Sequence, residues 1–278
     1  MGVGRSGPAV TRALITGAAG LVGSALAASY DDVVALRHRG LDITDAAAVE
    51  SVVERVQPDV ILNCAVVGVG QCEADPALAQ RVNVDGPANL ARAAERIGAT
   101  LVHFSTNYVF DGARTSQPYG IDDEARPINV YGLTKLRGER AVLDASSRAL
   151  IVRTSWVFGR GKESFLSTVA ERLARGERVQ AITDTFASTT YVADLVTRVH
   201  ELVERGLSGV QHVVNDGICS YETFAREAAR IVGADEALIE LATEESMGRV
   251  APRPRWTPME CTPPMRAWQD ALADYIRG

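Results

Sequence analysis

A tyrosine and a lysine four residues apart form the pair in this sequence that is best suited to acid–base chemistry. Tyr131 and Lys135 lie in a predicted helix over 130–145, and residues at positions i and i+4 share a helix face. A lysine beside a tyrosine favours the phenolate, so we expect Tyr131 to exchange a proton nearer neutral pH than its ordinary pKa of about 10 allows. Because two solvated surface side chains would show the same spacing, this interpretation depends on a nucleotide site and a positioned hydroxyl elsewhere in the chain.

A glycine turn near the start of the chain supplies the predicted nucleotide site. An apolar strand over 9–16 runs into glycines at 17, 20 and 23, and a helix over 24–30 follows. The first glycine allows a tight turn, the second lets backbone N–H groups approach a pyrophosphate, and the third lets the helix pack on the strand. A plain strand–turn–helix is the alternative, but the position at the first strand favours a dinucleotide site. The predicted cofactor contacts here are Gly17, Ala19, Gly20, Leu21 and Val22.

Two further strand ends are predicted to contact the cofactor. A second strand over 32–36 runs into Arg37-His38-Arg39, where NAD-binding proteins often carry an acidic residue for the ribose hydroxyls. Guanidinium groups match a 2′-phosphate, so the sequence favours NADPH, with NADH possible and an exposed basic turn as the alternative. A third strand, over 58–63, ends at the same edge of the sheet. The remaining predicted cofactor contacts are Arg37, His38, Asp42, Ile43, Cys64, Ala65 and Val66, together with Tyr131 and Lys135.

The positioned hydroxyl is Thr106, which follows a fourth strand over 100–104. The glycine turn, this strand-end hydroxyl and the Tyr-x-x-x-Lys pair follow one another in the order that a hydride-transfer site needs. Trp156 follows another strand and either forms an apolar wall against a sugar face or packs in the core. Asn83 is a poor helix former inside a predicted helix, and it is either a satisfied core residue or a backbone brace near the site.

Strands alternate with helices along most of the chain, which predicts an α/β fold built on a Rossmann-type doubly wound parallel sheet. We predict an NADP-binding domain over 9–160, to which 190–215 return, and a smaller C-terminal substrate-binding lobe formed by 161–189 and 216–278. The loop over 113–129 could close over a substrate. The other predicted strands are 149–153, 179–182 and 209–215, and the other helices are 45–55, 76–97, 165–175, 191–204, 221–232, 235–241 and 265–276.

Composition and charge argue against a nucleic-acid-binding protein, a membrane protein and a metalloprotein. The chain has 278 residues, a net charge of −6 and a pI near 5.4, which argues against non-specific nucleic-acid binding. It shows no apolar signal core and no run of the roughly 20 apolar residues needed to span a bilayer, so we expect no membrane association and a cytoplasmic location. The four cysteines form no Cys-x-x-Cys pair and no histidine cluster accompanies them, so we predict no metal site.

Together these motifs make the chain resemble the extended short-chain dehydrogenase/reductase family, and within it the dTDP-4-dehydrorhamnose reductase group. The resemblance implies that a hydride passes from a nicotinamide to the C4 ketone of a nucleotide-linked 6-deoxy-hexulose. It implies that Tyr131 is the general acid, that Lys135 lowers its pKa and holds the nicotinamide ribose, and that Thr106 orients the carbonyl oxygen. The segments that carry the resemblance are 15–23, 104–112, 130–135 with Gly138-Glu139, 152–159 and Arg253-Pro254.

The chain departs from the pattern of this group where the substrate is expected. Asn107 replaces the usual aspartate after the threonine, and Ser164 replaces an asparagine that faces the substrate in relatives. The segment 67–71 lacks the usual Tyr-Thr pair, and 187–190 lacks the usual proline. The resemblance therefore implies an active reductase whose keto sugar need not be the rhamnose precursor. The predicted substrate contacts are Asn107, Trp156 and Ser164.

Two alternatives accompany this prediction. A sugar-nucleotide dehydratase of the same superfamily needs a carboxylate pair beside the threonine, where Asn107-Tyr108 stand here, and an epimerase needs a second acid or base on the other sugar face. A non-catalytic NADP-binding regulatory subunit is the other alternative, and the intact Thr106, Tyr131 and Lys135 count against it. A homodimer is possible.

Overall fold

A six-stranded parallel sheet forms the centre of the computed structural model, which describes residues 11–278. The first two residues of the predicted strand over 9–16 lie outside this range. In chain order the strands are β1 Arg12–Thr16, β2 Asp32–Leu36, β3 Val60–Asn63, β4 Thr100–Thr106, β5 Ala149–Thr154 and β10 Gly209–His212. Their order across the sheet is β2-β1-β3-β4-β5-β10. The order reverses between β1 and β3, and such a switch point opens a crevice at the carboxyl ends of the strands.

Some of the helices cover the two faces of this sheet, and others pack outside it. The helices are α1 Leu21–Ala27, α2 Ala46–Val56, α3 Val69–Ala74, α4 Pro76–Gln80, α5 Gly86–Ile97, α6 Val130–Ala145, α7 Phe165–Ala174, α8 Val192–Glu204, α9 Tyr221–Val232 and α10 Trp268–Arg277. Leu14 and Ile61 face a core shared with α2 and α5, whereas Ile15 and Leu62 face a core shared with α1 and α8. Successive strand residues point to opposite faces, so strands covered on both sides are apolar throughout. The predicted Rossmann-type α/β fold is confirmed.

Short strands organise the remaining part of the molecule. They are β6 Val157–Phe158, β7 Val179–Ile182, β8 Phe186–Ala187, β9 Thr190–Tyr191, β11 Cys219–Ser220, β12 Ile239–Ala242 and β13 Trp256–Thr257. Phe158, Phe224 and Trp268 are buried in a core that α7, α9 and α10 share. This core lies in the region where the sequence predicts a substrate-binding lobe. The assignment of residues 161–189 and 216–278 to a lobe separate from the cofactor domain stays a prediction. Among residues 11–278, no helix has the length and apolar character to cross a membrane.

Two sequence predictions need correction. The predicted helix over 235–241 is wrong: a single 3-10 turn, Glu236–Leu238, leads into β12, which pairs with β7. This pairing supplies backbone hydrogen bonds from a distant strand, so it overrides a local helical preference. The predicted helix over 76–97 contains a π-helical segment, Arg81–Asp85, between α4 and α5, and α3 precedes it without having been predicted.

A buried ion pair joins α6 to the central sheet. Arg153 on β5 donates to Glu139 on α6 through Nε, 3.0 Å from Oε1, and through Nη2, 2.7 Å from Oε2. The Ser105 hydroxyl on β4 also donates to Glu139. Both charged side chains are buried, and a bidentate pair of this kind sets both distance and orientation. The pair therefore determines where α6, with Tyr131 and Lys135, lies against β4 and β5.

Glu139→Gln tests this ion pair. We expect the substitution to lower the free energy of unfolding by about 3–5 kcal/mol, because it leaves the Arg153 charge buried without a counterion. The shift in the urea unfolding midpoint measures the effect. The matched control is Glu222→Gln, which removes a partly exposed partner of Arg226 on α9 and should cost less than about 1 kcal/mol. Equal stability of the two variants would contradict the assignment.

Candidate active site

A cavity of about 700 Å³ opens at the carboxyl ends of β1, β3, β4 and β5. Its walls come from the glycine turn, from the loop after β3, from the N-terminus of α6 and from residues that follow β5, with Tyr221 and Arg253. The predicted site residues that line it are Ala19, Gly20, Leu21, Val22, Cys64, Ala65, Val66, Thr106, Asn107, Tyr131, Lys135, Trp156 and Ser164.

The glycine turn forms an open backbone surface at one end of this cavity. Gly17 has φ +67, and a Cβ there would lie 2.5 Å from the backbone of Cys64 and Ala65. A Cβ at Gly23 would lie 2.5 Å from Gly17 O, so α1 packs directly on the turn. Gly20 precedes α1 without a side-chain cap, which leaves backbone N–H groups of the first turn available to an anion. The turn therefore fits the pyrophosphate of a dinucleotide.

The predicted adenosine contacts lie outside the cavity lining. The end of β2 is tied to the glycine turn by a hydrogen bond from Ala18 N to Leu36 O of 3.1 Å, and the exposed Arg37 and His38 follow directly. Asp42 is exposed, and hydrogen bonds from Thr44 lower the pKa of its carboxyl group. Ile43 is instead buried in the core beneath α2 and α5, so its side chain does not reach the cavity.

Thr106 and Tyr131 meet on one wall of the cavity. Thr106 ends β4, and its Oγ1 donates to Asn107 Oδ1 at 3.2 Å. Tyr131 lies in the first turn of α6, which Asn129 caps by accepting from Gly132 N at 2.8 Å. Burial raises the pKa of Tyr131 to about 12, and a hydrogen bond with Thr106 opposes the rise. The predicted shift toward neutral pH therefore has the wrong sign in this structure, and the phenol carries its proton at neutral pH.

Lys135 is directed away from solvent toward β4. Its Nζ donates to Phe104 O at 2.6 Å and lies 3.2 Å from His103 Nε2. Burial lowers the pKa of Lys135 to about 8, and the carboxylate of Glu139 opposes this shift. The chain contains only two lysines, Lys135 and Lys162, and both line the cavity.

Close backbone packing holds α6 against its neighbours. A Cβ at Gly132 would lie 2.0 Å from Tyr108 O, and a Cβ at Gly138 would lie 2.1 Å from Asn83 O. The Asn83 side chain accepts from Val67 N at 3.0 Å and donates to Thr134 Oγ1 at 3.2 Å. Asn83 is fully buried, so it is a hydrogen-bonded core residue that also braces the loop after β3 against α6, and the two alternatives describe the same contacts.

The three predicted substrate contacts differ in their surroundings. Asn107 is buried and donates to Thr257 Oγ1 at 2.7 Å. Ser164 precedes α7 and donates to Ser167 Oγ at 3.0 Å. Trp156 has φ +42, a conformation that costs on the order of 1–3 kcal/mol for such a residue and is common at functional sites. Its ring lies 4.1 Å from that of Tyr221, so Trp156 packs on a neighbour while it lines the cavity.

A match to a protein-family model shows which family this chain belongs to. The family described as RmlD substrate binding domain matches residues 11–277. The chain belongs to this family. The resemblance inferred from the sequence motifs is thereby confirmed.

Relatives in this family carry related names. The chain is 39% identical over 279 residues to a dTDP-4-dehydrorhamnose reductase of Mycolicibacterium smegmatis, a match that covers 95% of this chain and 85% of the relative. It is 36% identical to a dTDP-4-keto-6-deoxy-D-glucose reductase of Streptomyces niveus, with 96% and 93% of the two chains covered. The crystal structure of dTDP-4-dehydrorhamnose reductase from Bacillus anthracis in complex with NADP superimposes with a TM-score of 0.89 at 32% identity, covering 96% of this chain and 99% of the other.

Arg253 and Tyr221 are among the cavity residues that were not predicted as site residues. Arg253 donates from Nη1 to the Tyr108 hydroxyl at 2.9 Å, and the Tyr221 ring packs against that of Trp156. The Arg253-Pro254 motif was a signal for the first, whereas nothing local distinguishes Tyr221 at the start of α9. Among the described residues, no three histidine, cysteine, aspartate or glutamate side chains gather as metal ligands would.

Gly132→Ala tests the packing of α6 against its neighbours. The added methyl group would overlap Tyr108 O, so we expect the free energy of unfolding to fall by about 1–3 kcal/mol. Urea unfolding measures this change. Gly70→Ala is the matched control, because a Cβ there meets nothing within 4 Å and alanine is the better helix former. A Gly132→Ala protein that unfolds at the same urea concentration as the Gly70→Ala protein would rule out the close approach.

Proposed function

We propose that this chain is an NADPH-dependent reductase of the 4-keto group of a dTDP-linked 4-keto-6-deoxy sugar, acting in deoxysugar biosynthesis. The observation that carries the proposal is the convergence of Thr106, Tyr131 and Lys135 in one cavity with the open glycine turn. The names of the relatives support the same substrate class. NADPH is favoured over NADH because Arg37 and His38 follow β2 at the edge where a 2′-phosphate would lie.

The residues of the chain supply the proton and orient the substrate carbonyl group, while the nicotinamide supplies the hydride when it is bound. The hydroxyls of Thr106 and Tyr131 can both donate to the carbonyl oxygen of a ketone that enters the cavity. Tyr131 keeps its proton at neutral pH because burial raises its pKa, so it can protonate the alkoxide as this forms. General acid catalysis of this kind contributes about 10²–10⁴-fold in rate. Lys135 would hold the nicotinamide ribose.

The far wall of the cavity suits a nucleotide-linked sugar. The adjacent rings of Trp156 and Tyr221 would present apolar surface to a sugar face, and Ser164 and Asn107 supply polar groups beside it. Arg253 is partly buried and lines the same cavity, and a guanidinium group matches a diphosphate. We assign 161–189 and 216–278 to substrate binding on this basis. The proposed substrates also suggest a cytoplasmic enzyme.

A purified chain incubated with NADPH and a panel of dTDP-4-keto-6-deoxy sugars tests the reaction. We expect at least one sugar to cause loss of nicotinamide absorbance. Tight NADPH binding without turnover of any sugar would instead support a regulatory subunit. A dehydratase is disfavoured because the neutral Asn107, bonded to Thr257, stands where a dehydratase needs a carboxylate.

Tyr131→Phe tests the assignment of the general acid. The substitution removes only the phenolic hydroxyl, so we expect kcat to fall by about 10²-fold or more while the Kd for NADPH changes little. Single-turnover kinetics and fluorescence titration of NADPH measure the two quantities. Tyr275→Phe is the matched control, because Tyr275 donates to Ser167 O and does not line the cavity. Full activity of the Tyr131→Phe protein would overturn the assignment.

Arg37→Ala tests the choice of cofactor. If Arg37 contacts the 2′-phosphate, its loss should weaken NADPH by roughly tenfold or more and leave NADH nearly unchanged, since a charge-assisted hydrogen bond contributes about 1.5–3 kcal/mol. The two Kd values are compared by titration. Arg55→Ala, on the C-terminal turn of α2, is the control for a general loss of positive charge. An equal loss for both cofactors would show that Arg37 does not recognise the 2′-phosphate.

A further inference from the structure

A line of buried hydrogen bonds runs beneath the cavity and ends at Lys135. Thr16 Oγ1 on β1 donates to Asn63 Oδ1 on β3 at 2.7 Å, and Asn63 Nδ2 lies 3.0 Å from His103 Nδ1 on β4. His103 Nε2 then lies 3.2 Å from Lys135 Nζ. All four residues are between 0 and 2% exposed. The proposed reaction uses only Lys135, so the other three have no role in it so far.

A backbone N–H group determines the direction of these hydrogen bonds. Ala65 N donates to Asn63 Oδ1 at 3.2 Å, so this oxygen is the acceptor and the amide nitrogen Nδ2 faces His103 as a donor. His103 Nδ1 must therefore accept. Burial, together with the nearby Lys135, lowers the pKa of His103 well below its ordinary value. The imidazole is thus neutral, and its single N–H group is on Nε2, directed at Lys135.

This orientation distinguishes between the two protonation states of Lys135. A neutral amine has a lone pair that can accept from His103 Nε2–H, while one of its own N–H groups donates to Phe104 O. An ammonium group has no lone pair, so it would place two donors against each other at 3.2 Å. Burial already lowers the pKa of Lys135, and the imidazole acts in the same direction.

The other groups that face Lys135 do not reverse this effect. Tyr131 and Glu139 are on its own helix, and the Glu139 carboxylate is engaged by Arg153. Cys64, in the loop after β3, and Cys72, on α3, are thiols whose pKa values are raised by burial, so they carry no charge at neutral pH. Glu139 is therefore the one anion among these groups, and it favours the ammonium form.

We propose that His103 is a positioning residue: held by Asn63 with its Nε2–H directed at Lys135, it opposes protonation of the lysine amine and sets the pH at which this lysine changes charge. The catalytic importance of this effect of His103 on Lys135 rests on the proposed function, in which Lys135 lies beside the general acid and the cofactor. The effect itself is a property of the buried hydrogen bonds and can be measured without substrate.

Because the chain has only two lysines, the charge of Lys135 can be followed directly as pH is varied. In the full-length chain labelled with ¹³C-lysine, the Cε resonances of Lys135 and the exposed Lys162 can be followed by NMR as pH is varied. We expect Lys135 to change charge near pH 8, and His103→Gln to raise this midpoint by roughly one pH unit. The reason is that a glutamine amide can turn its oxygen toward the ammonium group, which an Nε2–H imidazole cannot do.

His212→Gln is the matched control. His212 is also buried, with Nδ1 lying 3.1 Å from Glu260 O, but it does not contact Lys135, so its substitution should leave the Lys135 midpoint unchanged. Circular dichroism establishes that both variants are folded. A His103→Gln protein whose Lys135 midpoint coincides with that of the unmodified chain would overturn the proposal.

The tautomer of His103 provides a second test on the unmodified protein. With ¹⁵N-histidine labelling, the four histidines give separate pairs of ring nitrogen signals, and the His103→Gln spectrum identifies those of His103. We expect Nδ1 to be unprotonated and Nε2 to carry the proton, and the opposite tautomer would overturn the proposal. Neither measurement uses turnover. Failure to reduce any keto sugar would overturn the proposed function alone, whereas normal turnover with an unshifted Lys135 midpoint would overturn the role of His103 alone.

Discussion

The buried contact of α6 with β4 and β5 is the constraint on which the rest of the site depends. A bidentate ion pair between Glu139 and Arg153 anchors it, and two approaches so close that only glycine fits, of Gly132 to Tyr108 O and of Gly138 to Asn83 O, hold the other sides of α6. Breaking a buried pair leaves an uncompensated charge, so the helix has little freedom to shift. Tyr131 and Lys135 owe their placement beside the end of β4 to this contact.

Burial then determines the proton chemistry of the two residues. Removing a charged group from water favours its neutral form, which raises the pKa of Tyr131 and lowers the pKa of Lys135. The site therefore has a phenol that retains its proton and a lysine that changes charge close to neutral pH. In a surface Tyr-x-x-x-Lys pair with the same spacing, both groups would keep ordinary pKa values of about 10.

Part of the cavity wall comes from segments that follow α6 in the chain. Trp156 is held at φ +42 while its ring packs against that of Tyr221 of α9, and Arg253 reaches Tyr108 near the end of β4. Residues far apart in the chain thus form one wall of the cavity.

Local sequence determined much of the fold and the identity of the reactive groups. The glycine spacing at 17–23, the apolar strands and the pair Tyr131–Lys135 are patterns of neighbouring residues, and backbone geometry and periodicity convert them directly into a turn, strands and a helix face. Even the bounds of β2, α6 and α9 follow from such patterns. Only the tertiary structure decided the pairing of β12 with β7, the burial of Ile43, the contact of Tyr221 with Trp156 and the line of hydrogen bonds through Asn63 and His103. It also reversed the expected shift of the Tyr131 pKa, because desolvation and hydrogen-bond direction depend on atoms that distant segments bring together, and no local spacing encodes them.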